Sequence, residues 1–290
     1  MKVFVFFNAF IFISLLILLD SCSTTELTPA FVRIDTVYVQ TNANQGSASH
    51  NVQTVWVYAN DQPVGVFELP TVVPILEEGS TNILIFGGIN QNGSASTRTQ
   101  YPYYTTGIYN SVDLQPGQII TLNPTLTYRD NTNFAFINDF ELGNNITDTE
   151  DTGTEIFSLT EAPAEVFEGA RCGKAQLTTA QPALRAGTNT FYPLPGNNSP
   201  TYVEMNYKCE IPFRVLLRGT TTGGTTATYP VFKVVNARDK WNKIYLDFTE
   251  EAAQMKAQGI SFFQILIEAD LPADSTNAYL YWDNVKLMYQ

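Results

Sequence analysis

The sequence predicts an all-β protein of two β-sandwich domains behind an apolar N-terminal segment. Three observations point there. From Phe31 onward, apolar and polar residues alternate with period two in short runs. Turn-forming pairs such as Asn60-Asp61, Pro116-Gly117 and Asn123-Pro124 punctuate those runs, at the spacing expected of sandwich strands. Only residues 250–258 read as a helix, with Thr249 as N-cap and Gly259 just past the end.

Taken in order, the chain opens with Lys2 and an apolar run over 3–19. At 1.5 Å per residue this run reaches roughly 25 Å, short of a bilayer core of about 30 Å. A signal peptide over 1–21 fits better than a membrane anchor. Leu19-Asp20-Ser21-Cys22 resembles the lipobox of bacterial lipoproteins. That resemblance implies lipidation of Cys22 and a lipidated linker over 22–30. A first sandwich is expected over 31–130, with strands at 31–39, 52–59, 64–69 and 81–89 and three short ones before Tyr128. A second is expected over 131–290, with strands at 169–178, 201–211, 213–219, 229–235, 243–248, 262–269 and 278–289. The acidic stretch 144–155 reads as a solvated loop, and 220–228 as a Thr/Gly connection.

Composition excludes several functions. The 290 residues hold 16 Lys+Arg against 28 Asp+Glu, a net charge of −12, and 44% are hydrophobic. The apolar share supports a sizeable core, and the negative charge makes phosphate backbones poor partners, which removes nucleic acid. A single histidine, His50, removes most His-dependent catalysis and multi-His metal sites. After residue 21 no apolar run is long enough to span a bilayer as a helix. Cys172 and Cys209 stay open between a disulfide and two buried thiols. No nucleophile elbow, zinc-protease helix motif or phosphate-binding loop occurs. Glu77-Glu78 reads as a turn and Glu250-Glu251 as a helix start, so no enzyme is expected. Tyr207, Trp241, Tyr279, Tyr281 and Trp282 are candidate sugar-stacking rings, with Trp241 more readily placed in the core. Tyr101, Tyr103 and Tyr104 form a second aromatic group, for which packing is the commoner fate.

Four segments occur in a recognisable order: DFELG (139–143), YVEMNYK (202–208), KWNKIYLDFT (240–249) and YLYWDNVKL (279–287). Together they resemble the galactose-binding-like jelly roll shared by many carbohydrate-binding modules. The resemblance implies a structural calcium ion held by Asp139, Glu141 and Asp283. WVYANDQPVGVFELP (56–70) and YPYY (101–104) look like the partner sandwich of outer-membrane lipoproteins from Bacteroidota. That implies a lipid-anchored outer-membrane protein, and the single acid in residues 23–26 points to the periplasmic face. Thr36 and Ser275 match the O-glycosylation pattern of that phylum. The leading expectation is a non-catalytic accessory or scaffold subunit of an outer-membrane assembly, its partners other outer-membrane proteins. The alternatives are a glycan-binding lipoprotein of a polysaccharide-capture system and a component of gliding or secretion machinery.

Overall fold

The computed structural model describes residues 27–149, 157–228 and 231–290. The signal peptide expected over 1–21 and Cys22 lie outside the described residues. Ten strands fill the first part of the chain: β1 (Ala30–Ile34), β2 (Tyr38–Gln40), β3 (Thr54–Ala59), β4 (Gln62–Glu68), β5 (Thr71–Ile75), β6 (Gly79–Asn90), β7 (Arg98–Gln100), β8 (Gly107–Leu114), β9 (Ile119–Thr121) and β10 (Thr125–Thr127). One layer runs β4-β3-β6-β7, with β8 also on β6; the other is β5-β1-β9, and β10-β2 forms a separate pair. Alternation decides which residues meet between the layers. Val32, Ile34, Val55, Val57, Val73, Ile83 and Ile85 point inward and are fully buried.

Thirteen strands and one helix follow: β11 (Asn133–Asn138), β12 (Ile146–Thr149), β13 (Phe157–Thr160), β14 (Cys172–Thr178), β15 (Ala183–Thr188), β16 (Tyr192–Pro193), β17 (Thr201–Cys209), β18 (Phe213–Thr220), β19 (Thr226–Thr228), β20 (Lys233–Val235), β21 (Arg238–Asp247), α1 (Thr249–Ala257), β22 (Phe262–Asp270) and β23 (Asn277–Tyr289). One sheet is ordered β13-β14-β23-β17-β21, with β11 on the same edge of β23 as β14. The other is β12-β15-β22-β18-β19, and β16 and β20 extend it. The two sheets enclose a core that includes Trp282, Phe213, Leu217, Ile244, Ile265 and Leu287. The protein is thus all-β, as its periodicity predicts.

Several local expectations need correction. The run 31–39 is two strands, because Asn123 Oδ1 accepts from the Asp35 and Thr36 amides at 2.9 and 3.3 Å and draws 35–36 out of the ladder. Residues 146–149 of the expected acidic loop pair with β15. Thr249 is the first residue of α1, not its cap; its hydroxyl accepts from the Thr201 amide at 3.0 Å. Cys172 and Cys209 are both free and buried. They sit on β14 and β17, which flank β23 on opposite sides. Two interstrand spacings amount to about 9.5 Å, beyond the roughly 7 Å that a disulfide bridges. Burial pushes the two thiols up, to about 12 and about 11.

Candidate functional site

The outer face of the β14-β23-β17-β21 sheet divides into a covered end and an open end. Along β17 the outward residues are Tyr202, Glu204, Asn206 and Lys208, set between Lys286 and Tyr281 of β23 and Lys243 and Tyr245 of β21 by the strand register. The N-terminal sandwich covers the first part of this row. Glu204 and Lys286 are 0% exposed there and Lys243 is 4% exposed. Glu204 Oε2 pairs with Lys243 Nζ at 2.6 Å. Its carboxylate also accepts from the phenols of Tyr101 at 2.6 Å and Tyr128 at 3.0 Å, both from the first sandwich. Lys286 Nζ donates to Ser47 O at 2.8 Å and Tyr128 Oη at 3.1 Å. Burial works against the Glu204 charge, yet Lys243 and Lys286 hold its carboxyl below the usual carboxylate range. Burial, reinforced by Lys243, lowers Lys286 to about 7.

Tyr101, Tyr103 and Tyr104 pack edge-on over this seam. Tyr101 meets Tyr202 at 5.6 Å and Tyr245 at 4.8 Å, ring centre to ring centre. Further hydrogen bonds close the rim: Gln91 to Asp247 at 2.6 Å, Asn206 to Ser49 at 2.9 Å and Asn51 N to Tyr245 Oη at 2.8 Å. Gly46 sits here at φ +68, where a Cβ would press on Ile137 and Lys286. These tyrosines are interface anchors and present no open platform.

Beyond Asn206 the face is open. Tyr279 and Tyr281 stack nearly parallel, centroids 6.4 Å apart, because they are alternate residues on one side of β23. Trp241 lies 6.5 Å from Tyr281 and 5.4 Å from Phe167. Lys208 sits over Tyr281 and Trp241, and Lys174 over Tyr279 and Tyr281. Tyr279 and Trp241 are half-buried and Gln176 is exposed, whereas Tyr281 is buried beneath the two lysines at 8% exposure; Gln176 Nε2 donates to Tyr279 Oη at 3.0 Å. Glu165 takes Lys174 at 2.7 Å, Tyr281 Oη at 2.9 Å and Thr160 Oγ1 at 2.5 Å. Burial opposes its charge, but these hydrogen bonds hold its carboxyl down at about 2. The loop 161–171 also lines a cavity of about 560 Å³ that includes Phe167, Glu168 and Arg171. Partly exposed rings beside charged and amide groups can stack against the C–H face of a sugar and bind its hydroxyls.

The two tryptophans exchange the roles expected of them. Trp282 is the fully buried core residue, stacked on Phe157 at 5.0 Å, whereas Trp241 edges the open patch. Tyr207 points into the core and is 3% exposed. The signal for this exchange is parity: Trp282 shares a side of β23 with Leu280 and Ala278, and Trp241 shares a side of β21 with Lys243 and Tyr245.

The acidic residues proposed for calcium are only partly brought together. Glu141 Oε1 accepts from the amides of Ala170 and Arg171 at 2.8 and 3.1 Å. Asp283, 1% exposed, accepts from Asn284 N at 2.8 Å and Glu168 N at 3.4 Å. Burial pushes the Asp283 carboxyl up to about 7, and the charges of Glu168 and Glu141 add to that rise. Asp139 instead accepts the Glu141 amide at 3.2 Å in its own exposed turn. Among the described residues no three His, Cys, Asp or Glu side chains are placed as a metal-holding group. Thr36 and Ser275 both lie in partly buried turns, after β1 and before β23. Among the described residues no helix is long and apolar enough to cross a membrane.

No protein-family profile and no curated protein matches the chain. Among solved structures it is similar to the xylan-binding domain from CBM 22, with a TM-score of 0.36 and 16% identity over 56% of this chain and 97% of that one. It is also similar to TmCBM61 in complex with β-1,4-galactotriose (TM-score 0.33, 12% identity, 52% and 94% coverage). A third is the family 11 carbohydrate-binding module of cellulase Lic26A-Cel5E of Clostridium thermocellum (TM-score 0.33, 14% identity, 53% and 94% coverage). These structures are carbohydrate-binding modules, and at such identities the likeness concerns the architecture of part of the chain.

Proposed function

We propose that the protein is a non-catalytic, lipid-anchored envelope protein that binds glycan on the open end of the outer sheet face. The observation that supports this is the cluster of Tyr279, Tyr281, Trp241 and Phe167 beside Lys174, Lys208, Gln176 and Glu165. Rings offer apolar faces to sugars, and the surrounding donors and acceptors fix hydroxyls. Retardation of the protein in gels containing different polysaccharides tests the reading. Trp241→Ala and Tyr279→Ala should each weaken binding at least about tenfold, equal to about 1.4 kcal/mol, with melting temperature nearly unchanged. Failure of every polysaccharide to retard the folded protein rejects the site and returns the chain to the accessory-subunit reading.

Membrane attachment at Cys22 belongs to the same proposal. The wild-type chain should incorporate labelled fatty acid and Cys22→Ala should not. A structural calcium ion at Asp139, Glu141 and Asp283 is a separate proposal, supported by Asp283 and Glu141 both accepting backbone amides of the 168–171 loop. Calcium in millimolar excess should raise the melting temperature and EDTA should lower it; superimposed curves reject the ion.

A further inference from the structure

Lys208 stands at the centre of the open patch. Its ammonium is 4.6 Å from the centre of the Tyr281 ring and 5.6 Å from that of Trp241. Its hydrogen-bond partner is a backbone carbonyl, Ala164 O, at 3.3 Å. Among the described residues no carboxylate lies within ion-pair distance of it, in a chain that carries 28 acidic residues against 16 basic ones. The nearby carboxylates are engaged elsewhere. Glu165 holds Lys174 at 2.7 and 3.0 Å, and Glu210 Oε2 accepts the Tyr279 amide at 2.9 Å. Lys174 is therefore neutralised and Lys208 is not.

Lys208 also covers the ring faces that a sugar needs. A neutral sugar stacking on Trp241 must displace the ammonium and offers it only hydroxyls in return. A sugar carboxylate offers a charge-assisted hydrogen bond, stronger than a neutral one, in exchange for the lost ring contact. We propose that the patch takes a carboxylate-bearing glycan, a uronate-containing polysaccharide, and that Lys208 is the residue that selects it. This rests on the glycan reading of the patch and narrows it to one chemical class.

The experiment compares the full chain on polygalacturonate and alginate with the carboxyl-reduced form of each polymer, in which every uronate has become a neutral hexose. At about 0.15 M salt, where repulsion from the chain's net charge of −12 is screened beyond about 8 Å while contact charges still act, the native polymers should bind about tenfold more tightly. Lys208→Met keeps the apolar stem and should abolish the preference, whereas Lys208→Arg should retain it. Equal binding of native and reduced polymers, or a preference that survives in Lys208→Met, overturns the proposal. Binding of reduced or other neutral glycans alone leaves the glycan reading standing and removes only this refinement. Binding of no glycan by the folded protein removes both. Unchanged thermal melting of the two variants shows that the substitutions act at the patch.

Discussion

The outer face of one sheet uses the same chemistry twice. At the covered end, Glu204 meets Lys243 and two tyrosines of the first sandwich; at the open end, Glu165 meets Lys174 and Tyr281. The geometry is alike, with ion-pair distances of 2.6 and 2.7 Å. Exposure is not: the Lys243–Glu204 side chains are 2% and 0% exposed, and those of Lys174–Glu165 are 23% and 24%. The first sandwich makes the difference by sealing one end with Tyr101, Tyr103, Tyr104 and Tyr128. Water therefore shares the electrostatic work at one end and is excluded at the other, so identical residue types become structural in one place and available for a ligand in the next.

The largest test of this contrast is removal of one charge from each end. Glu204→Leu leaves Lys243 and Lys286 buried without their counter-ion and should cost about 3–5 kcal/mol. Glu165→Gln should cost about 1 kcal/mol or less. Urea unfolding of both variants measures the ratio, and equal losses would erase the distinction.

Acid and base dependence gives the next largest effect. Lys286 titrates at about 7 in the folded chain, against about 10.4 when unfolded. Between those values the unfolded chain binds a proton that the folded chain does not, so stability should rise with pH, by on the order of 2–4 kcal/mol. Above pH 10 the trend should reverse. Burial raises the Tyr101, Tyr104 and Tyr128 phenols, and the unfolded chain loses protons there that the folded chain keeps. Lys286→Met should flatten the rise while leaving the reversal.

Asp283 should act in the opposite direction at lower pH. Its folded value of about 7 lies above the unfolded one of about 3.9. Stability contributed by the neutral acid is then lost as pH climbs from about 4 to 7, on the order of 2–3 kcal/mol. With EDTA present, so that no ion contributes, Asp283→Asn should remove that loss and stabilise the protein at pH 8, as read by thermal melting. A variant less stable than wild type at pH 8 would show that the carboxylate is needed in its charged form.

Periodicity made the strands legible because one face of each strand is apolar and packed in a core while the other is more polar, even where β17 and β23 are buried on both faces. It failed where side chains override the ladder, as Asn123 does at residues 35–36. The hairpin at Asn60-Asp61 was readable for a local reason: both residues adopt positive φ, 48 and 63, which Asn and Asp tolerate. The seam left no such trace. Glu204 and Lys243 lie 39 positions apart and their phenol partners Tyr101 and Tyr128 lie 103 and 76 positions before Glu204, so nothing local marks them as buried. In the sequence they look like ordinary outward-facing polar residues. The aromatic patch was partly visible, since Tyr279 and Tyr281 share a side of one strand. Which tryptophan joined them depended on the register of β21 against β17.

The passage from Thr127 to Asn133 is short, and it is tied down by Arg129 N to Tyr103 O at 2.7 Å and Thr132 N to Arg129 O at 3.0 Å. Together with the buried cluster beside it, this makes the joint a keyed coupling instead of a swivel. Tension applied to the second sandwich would be spread in parallel over the hydrogen bonds that Tyr101, Tyr103, Tyr128, Gln91 and Asn51 make to it. With several attachment points set apart across the seam, no single bond carries the whole load.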